Sequence, residues 1–201
     1  MTVSQLDFES LGHEAHLAGQ HDRVVWACSQ AIERGQEVWS NYYFLGLSLR
    51  ALGRQEEAIS AFSSALRLAP DNVDVAGHLL GATFSWRGLP AADDLYNRLS
   101  AGGFPGLKER WEAVSEECIF RAVEDLAAKG RLAEAEKLCR TGRHFECLGR
   151  EAHLAGQHDR AVRCLILAIK LGASNWAIYC KLGRSLSANQ HDRRTNASQA
   201  A

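Results

Sequence analysis

Residues 8–24 read FESLGHEAHLAGQHDRV, and residues 145–161 read FECLGREAHLAGQHDRA. Fourteen of these seventeen positions match when the two stretches are aligned without a gap. Two shorter echoes follow the same skeleton, LGLSLRALGRQEEA at 45–58 and LGRSLSANQHDR at 182–193. A chain that returns to the same residues at fixed intervals is built from one supersecondary unit used several times.

The glycines give the length of the unit. The interval from Gly12 to Gly46 equals that from Gly149 to Gly183. A second glycine follows seven positions after the first, as Gly19 follows Gly12. Glycine is plentiful, at 17, whereas proline occurs only 3 times in 201 residues. This pattern predicts helices separated by short turns, because glycine at the end of a helix allows the left-handed backbone conformation that stops it.

The most regular copy, residues 39–72, carries small and aromatic residues at set positions, namely Tyr42, Leu45, Gly46, Ala58, Phe62, Ala65 and Pro70. With these residues, and with a period of about 34 residues, the chain resembles the tetratricopeptide-repeat (TPR) family over nearly its whole length. The resemblance implies an all-α fold. It would be a right-handed superhelical solenoid of about five helix-turn-helix repeats with a C-terminal capping helix.

We expect a single solenoid domain over residues 1–201. The predicted repeats are 5–38, 39–72, 73–107, 108–141 and 142–175, followed by a capping helix at 176–190 and a polar tail at 191–201. The fourth repeat is irregular, and its glycine spacing predicts a long first helix at 107–129 and a short second helix at 132–141. The aspartate of the recurring Q-H-D-R sequence (Asp22, Asp159, Asp192) is predicted to cap a helix.

Composition excludes several functional classes. The net charge of −1, with Lys and Arg scattered, argues against a nucleic-acid partner. No apolar stretch approaches the length of about 20 residues that crosses a bilayer, so we expect no membrane insertion. The six cysteines form no C-x-x-C pair and the start shows no secretory signal, which favours a cytoplasmic protein with reduced thiols. No catalytic or phosphate-binding motif is found, so we predict neither an enzyme nor a cofactor.

The resemblance also implies where a partner binds. In the family, the first helices of the repeats line a concave groove that takes up a peptide or helix of another protein. We therefore predict an interaction scaffold or adaptor with a protein partner. The predicted groove residues share positions that face the groove on first helices, and they are Glu9, His13, His16, Tyr43, Leu47, Arg50, His78, Trp86, Phe120, Glu124, Glu146, Arg150 and His153.

Three other readings stay open. The chain could be a regulatory or substrate-recruiting segment of a modifying enzyme, of the sulfotransferase or glycosyltransferase type. It could bind a metal or small ligand through Glu9, His13 and His16, although H-E-A-H lacks the H-E-x-x-H spacing and we predict no metal site. It could also self-associate through residues 100–120, if Phe104 and Trp111 are exposed.

Overall fold

The computed structural model describes the backbone of residues 8–199 and the side chains of residues 11–192. Over that range the chain is all-α, without a strand. The helices are α1 (Phe8–Leu17), α2 (His21–Glu33), α3 (Trp39–Ala51), α4 (Gln55–Leu68), α5 (Val73–Arg87), α6 (Leu89–Ala101), α7 (Leu107–Ala128), α8 (Leu132–Leu138), α9 (Gly142–Leu154), α10 (His158–Lys170) and α11 (Trp176–Gln199). The predicted fold class, an array of helix-turn-helix repeats, is confirmed.

The chain divides into two compact units, and the boundary lies within α7. The first unit ends at Ser115 and the second begins at Glu116. In unit 1 each helix from α1 to α5 packs against the one that follows it, and α3 also contacts the first helices on either side, α1 and α5. In unit 2, α9 packs against both α10 and α11. The prediction of one continuous domain stays a prediction.

Close contact between paired helices depends on small residues inside the first helix. A Cβ added at Gly46 of α3 would lie 2.7 Å from a ring carbon of Phe62 in α4. The turn that joins these helices contains Gly53, whose φ of +77° is strained for other residues. The two glycines of this pair therefore act differently, because Gly46 permits close packing of the helices whereas Gly53 ends the first helix.

The aspartates of the Q-H-D-R sequences do not cap helices, and this prediction is wrong. The residues at the N-cap positions of α2 and α10 are Gln20 and Gln157. Because the helices begin at the following histidine, Asp22 and Asp159 lie inside the first turn. There their negative charge interacts favourably with the helix dipole. Asp192 lies within α11 and not at the start of a helix.

The irregular fourth repeat has the predicted form, a long α7 followed by the short α8. The predicted end of the capping helix at 190 is wrong, because α11 continues to Gln199. The turn glycine Gly53 follows Gly46 by seven positions, but Gln190 stands at the corresponding place after Gly183. A polar segment without glycine or proline has no residue that stops a helix. Residues 200 and 201 of the predicted tail lie outside the described residues.

The aromatic residues of segment 100–120 do not form the exposed patch that self-association would need. Trp111 is only 7% exposed and lies with its ring stacked on Tyr96, the ring centroids being 5.9 Å apart. Phe104 is half-buried. Trp111 is on the side of α7 that packs inward within unit 1, so burial of its large apolar surface stabilises this unit.

Candidate functional site

The predicted groove residues of unit 1 lie on the first helices α1, α3 and α5. Several of these side chains meet across the helices, and we call the surface to which they belong the aromatic face. It consists of His13, His16, Tyr43, Phe44, Leu47, Arg50, His78 and Trp86. The predicted residue Glu9 belongs to α1, but its side chain lies outside the described residues.

Phe44 joins α1 to α3 in the aromatic face. The His16 ring lies 5.0 Å from the Phe44 ring between centroids, and the His13 ring meets it edge-on at 5.5 Å. Burial, helped by the nearby His21 and His13, lowers the pKa of His16. The predicted groove set does not include Phe44, because the positions of the repeat that we assign to the groove include that of Tyr43 but not the next one. Its neighbour Tyr43, 5.6 Å away between ring centroids, belongs to that set.

His78 joins α3 to α5. Its ring lies edge-on to Tyr43 with 5.4 Å between centroids and is stacked on Phe62 at 5.7 Å. Its Nδ1 is 3.3 Å from Nη1 of Arg50. Burial, followed by the positive charges of Arg50 and Arg110, lowers the pKa of His78 to about 4. The imidazole is therefore neutral at physiological pH, and its Nδ1 accepts a hydrogen bond from Arg50.

The aromatic face contains both packed and open side chains. Leu47 and Tyr43 are half-buried and pack against the core around Phe62. Trp86, by contrast, is 53% exposed. It follows His78 by eight positions, about two helical turns, so it lies on the same side of α5. Burial and the negative charge of Asp74 raise the pKa of Tyr43, so this side chain remains an uncharged phenol.

The histidines of α1 do not assemble a metal site with the described side chains. Among residues 11–192, no three His, Cys, Asp or Glu residues lie close enough together to hold a metal ion. His13 and His16 instead lie against the Phe44 ring.

The predicted groove residues of unit 2 form a charged surface. Arg150 of α9 lies between two carboxylates, with its Nη2 3.6 Å from Oε1 of Glu124 and its Nε 2.8 Å from Oε1 of Glu151. Phe120 of α7 lies beneath the guanidinium of Arg143, whose carbon is 4.1 Å from the ring centroid. These side chains hold α7 and α9 together within unit 2.

The remaining two groove residues of unit 2 contact α11. Lys181 Nζ lies 3.0 Å from Oε1 of Glu146. The Nδ1 atom of His153 is 3.0 Å from the hydroxyl oxygen of Ser185, which is completely buried. Glu146 and His153 are thus engaged in packing α11 onto α9.

A buried histidine that the sequence did not single out also stabilises unit 2. His144 is 0% exposed, and its Nδ1 accepts hydrogen bonds from the backbone N–H groups of Arg140 and Thr141 at 3.2 and 3.3 Å. Its Nε2 lies 3.1 Å from the carbonyl oxygen of Glu116. Since Nδ1 accepts, Nε2 carries the proton and donates. Only the contacts in the folded chain reveal this role, because nothing in its sequence context distinguishes His144.

A polar cleft of about 390 Å³ lies at the start of α10 in unit 2. Its polar groups contact one another. Asn189 Nδ2 donates to Oδ1 of Asp159 at 2.7 Å, and Arg160 Nη1 donates to Oε1 of Gln157 at 2.6 Å. Because both signs of charge line the cleft and these groups are paired, it presents no convergent set of donors or acceptors to a ligand.

Within the described residues, no helix combines the length and the apolar character that crossing a bilayer requires. The chain matches the family model of the tetratricopeptide repeat over residues 39–72. No curated protein matches it.

Several solved structures are similar in fold. MamA MSR-1 is 18% identical, with 85% of this chain and 97% of that chain covered and a TM-score of 0.50. MamA AMB-1 is also 18% identical, with 85% and 99% covered and a TM-score of 0.49. A tetratricopeptide repeat protein from Parabacteroides merdae is 14% identical, with 92% and 86% covered and a TM-score of 0.45. At these identities the likeness is one of fold.

Proposed function

Because residues 39–72 are a tetratricopeptide repeat and the chain around them has the helix-pair fold of tetratricopeptide-repeat proteins, we propose that it is a protein-interaction scaffold. It binds a peptide or helix of a partner protein on the aromatic face of unit 1. It does so as a non-catalytic adaptor, without a cofactor.

The observation that carries this proposal is the contact of Arg50 with His78 across adjacent first helices, with the exposed Trp86 about two turns further along α5. Tryptophan, tyrosine and arginine are the residues most often found at the energetic centre of protein interfaces. His78 accepts a hydrogen bond from Arg50 but has no negative charge, so it leaves the positive charge of Arg50 without a counter-ion at this contact. The surface therefore suits a segment with apolar anchors and an acidic residue beside Arg50.

The charged surface of unit 2 is a weaker candidate for the same role. Arg150 contacts Glu124 and Glu151, and Glu146 contacts Lys181, so these charges already have partners within the unit. A ligand that covered them would remove paired charges from water, and the desolvation cost offsets much of what new contacts contribute.

The experiment is affinity capture of a partner from the native cell, followed by titration of that partner against three variants. Trp86→Ala and Arg50→Ala alter the aromatic face. Trp26→Ala is the matched control, because Trp26 lies on the second helix α2 and is 54% exposed, close to the 53% of Trp86. We expect at least about a tenfold loss of affinity for the first two variants and less than about a twofold change for the control. If Trp86→Ala and Arg50→Ala bound the partner as tightly as the wild type and the Trp26→Ala control do, the aromatic face would be excluded as the binding surface.

We further propose that the protein works in the cytoplasm. All six cysteines are free thiols in the structure. Such thiols persist in a reducing compartment, whereas oxidising compartments favour disulfides. A fluorescent fusion expressed from the native locus tests this placement, and export of the fusion would contradict it.

A further inference from the structure

The last helix, α11, repeats the sequence of α3 at the same offset that relates residues 8–24 to residues 145–161. Within the first eleven positions of both helices, six residues are identical. They are Trp39, Tyr42, Leu45, Gly46, Ser48 and Leu49 in α3, and Trp176, Tyr179, Leu182, Gly183, Ser185 and Leu186 in α11. Helix α11 is thus a first helix of the same kind as α3.

In the α3–α4 pair, helix α4 covers the side of α3 that carries Gly46. The Phe62 ring of α4 fills the space next to Gly46, where a Cβ would lie 2.7 Å from a ring atom. Leu49, one turn further along α3, is only 4% exposed and belongs to the core that contains Phe62.

On α11 the corresponding side is uncovered. A Cβ built at Gly183 meets no atom within 4 Å among the described residues. Leu186 is 42% exposed, although its counterpart Leu49 is buried. Tyr179 and Trp176 are 52% and 81% exposed. We call this apolar stripe (Trp176, Tyr179, Gly183, Leu186) the α11 seat.

The α3–α4 and α9–α10 hairpins show what kind of helix fits such a seat. The residue that contacts the first-helix glycine follows it by sixteen positions, as Phe62 follows Gly46 and Leu165 follows Gly149 at a Cβ distance of 2.8 Å. A completely buried alanine precedes this large residue by four positions and another follows it by three. These alanines are Ala58 and Ala65 in α4, and Ala161 and Ala168 in α10. A helix bound at the α11 seat would pack on α11 as α4 packs on α3 and as α10 packs on α9.

The charges on α11 indicate that a helix bound there would have an acidic first turn. Lys181 is already paired with Glu146, and the rest of the α11 sequence carries Arg184, Arg193 and Arg194 against the single acid Asp192. In the α3–α4 hairpin, the second helix begins with two acids, Glu56 and Glu57. An antiparallel helix on α11 would likewise place its first turn beside the part of α11 from Arg184 onward, which contains these three arginines.

We propose that the α11 seat binds a helix from a partner protein. This helix is amphipathic and antiparallel to α11, has an acidic first turn, and carries a large apolar residue with a small residue four positions before and three positions after it. The α11 seat shares no residue with the aromatic face, so it adds a second contact surface to the proposed scaffold and does not depend on that first proposal.

The α4 segment itself is the probe. A labelled peptide carries the sequence of Gln55–Leu68 with Ser63 replaced by Lys and Arg67 by Glu, both at positions that are exposed in α4. A lactam bridge between these two side chains holds it helical. The bridge removes the helix-forming cost that weakens short peptides. We expect this peptide to bind the full chain with a Kd below about 1 mM by fluorescence anisotropy.

Three variants, one of the chain and two of the peptide, make the test specific. Gly183→Leu fills the seat, and since the added side chain starts in open space, the variant is expected to fold normally by circular dichroism. We expect it to weaken binding at least about tenfold. The same peptide with Phe62→Ala, which lacks the residue that contacts the glycine, should lose affinity by a similar factor. Replacement of Glu56 and Glu57 by Lys in the peptide should also weaken binding, most strongly at low salt.

Three results would overturn the proposal. One is no binding of the peptide at about 1 mM. Another is equal binding to the wild-type chain and to Gly183→Leu. The third is a wild-type dimer in sedimentation that Gly183→Leu converts to a monomer, because the occupant would then be a second copy of this chain. Binding of a partner at the aromatic face is measured with Trp86→Ala, so the two sites fail or succeed independently.

Discussion

The ring of Phe62 lies against Gly46 so closely that three of its carbon atoms would be within 2.9 Å of a Cβ at that position. We therefore expect Gly46→Ala to force the α3–α4 pair apart and to lower the free energy of unfolding by about 1–3 kcal/mol, as overpacking of a core does. The matched variant is Gly183→Ala on α11, where the Cβ meets open space. There the better helix propensity of alanine should raise stability by up to about 1 kcal/mol.

Urea denaturation followed by circular dichroism measures both variants. We expect the free energy of unfolding to change in opposite directions in the two variants, although they carry the same substitution at equivalent positions of α3 and α11. If both variants lost stability to the same extent, the description of α11 as an uncovered helix would be wrong.

The repeat in the sequence predicts the positions of the helices well, but it does not predict contacts between side chains. Glycine pairs fix the turns, so the sequence predicts the long α7 and the short α8 even in the irregular repeat. Groove positions come from a spacing rule, which finds His78 and Trp86 but misses Phe44. The rule ranks positions by their place on one helix, whereas Phe44 meets His16 across two helices.

His144 illustrates the same limit and leads to a second prediction. Its two ring nitrogens satisfy backbone groups of Arg140, Thr141 and Glu116 in a completely buried position. His144→Phe preserves the volume of the ring but leaves these groups without a hydrogen bond. Since a buried unsatisfied polar group costs about 1–3 kcal/mol, we expect the free energy of unfolding to fall by about 2–4 kcal/mol.

Chemical denaturation of His144→Phe tests this expectation. His13→Phe serves as control, because His13 is exposed and rests on the Phe44 ring, where another ring can take its place. A loss for His144→Phe no greater than that for the control would show that the three hydrogen bonds contribute little to unit 2.

The half-buried Cys139 and the buried Cys164 should both react slowly with alkylating reagents in the folded protein. Burial raises the pKa of Cys139 to about 12 and that of Cys164 to about 11. Only the thiolate is alkylated, and almost none is present at pH 8. We expect iodoacetamide to modify both residues at least about 100-fold more slowly in the folded protein than in urea. Mass spectrometry of tryptic peptides at successive times measures the rates, and equal rates in the folded and unfolded protein would contradict the raised pKa values of these thiols.

The depressed pKa of His78 gives the folded protein a pH dependence of known sign. Burial, with the charges of Arg50 and Arg110, lowers the pKa to about 4, whereas the unfolded chain has the usual value of 6.5. Between these values the unfolded chain binds a proton at His78 that the folded chain does not. This contribution to the free energy of unfolding is therefore fully present above pH 6.5 and is lost as the pH falls towards 4.

His78→Gln removes this titration while leaving a side chain whose oxygen can accept a hydrogen bond from Arg50. We expect the wild type to exceed the variant in stability at pH 7, and the difference to shrink steadily as the pH falls from 6.5 to about 4. Denaturation curves at half-unit pH steps measure the difference, in which the titrations common to both proteins cancel. The imidazole proton resonance of His78 gives the midpoint directly. A midpoint near 6.5, or a stability difference that does not change with pH, would mean that His78 is solvated and that its contact with Arg50 does not hold a neutral imidazole in the aromatic face.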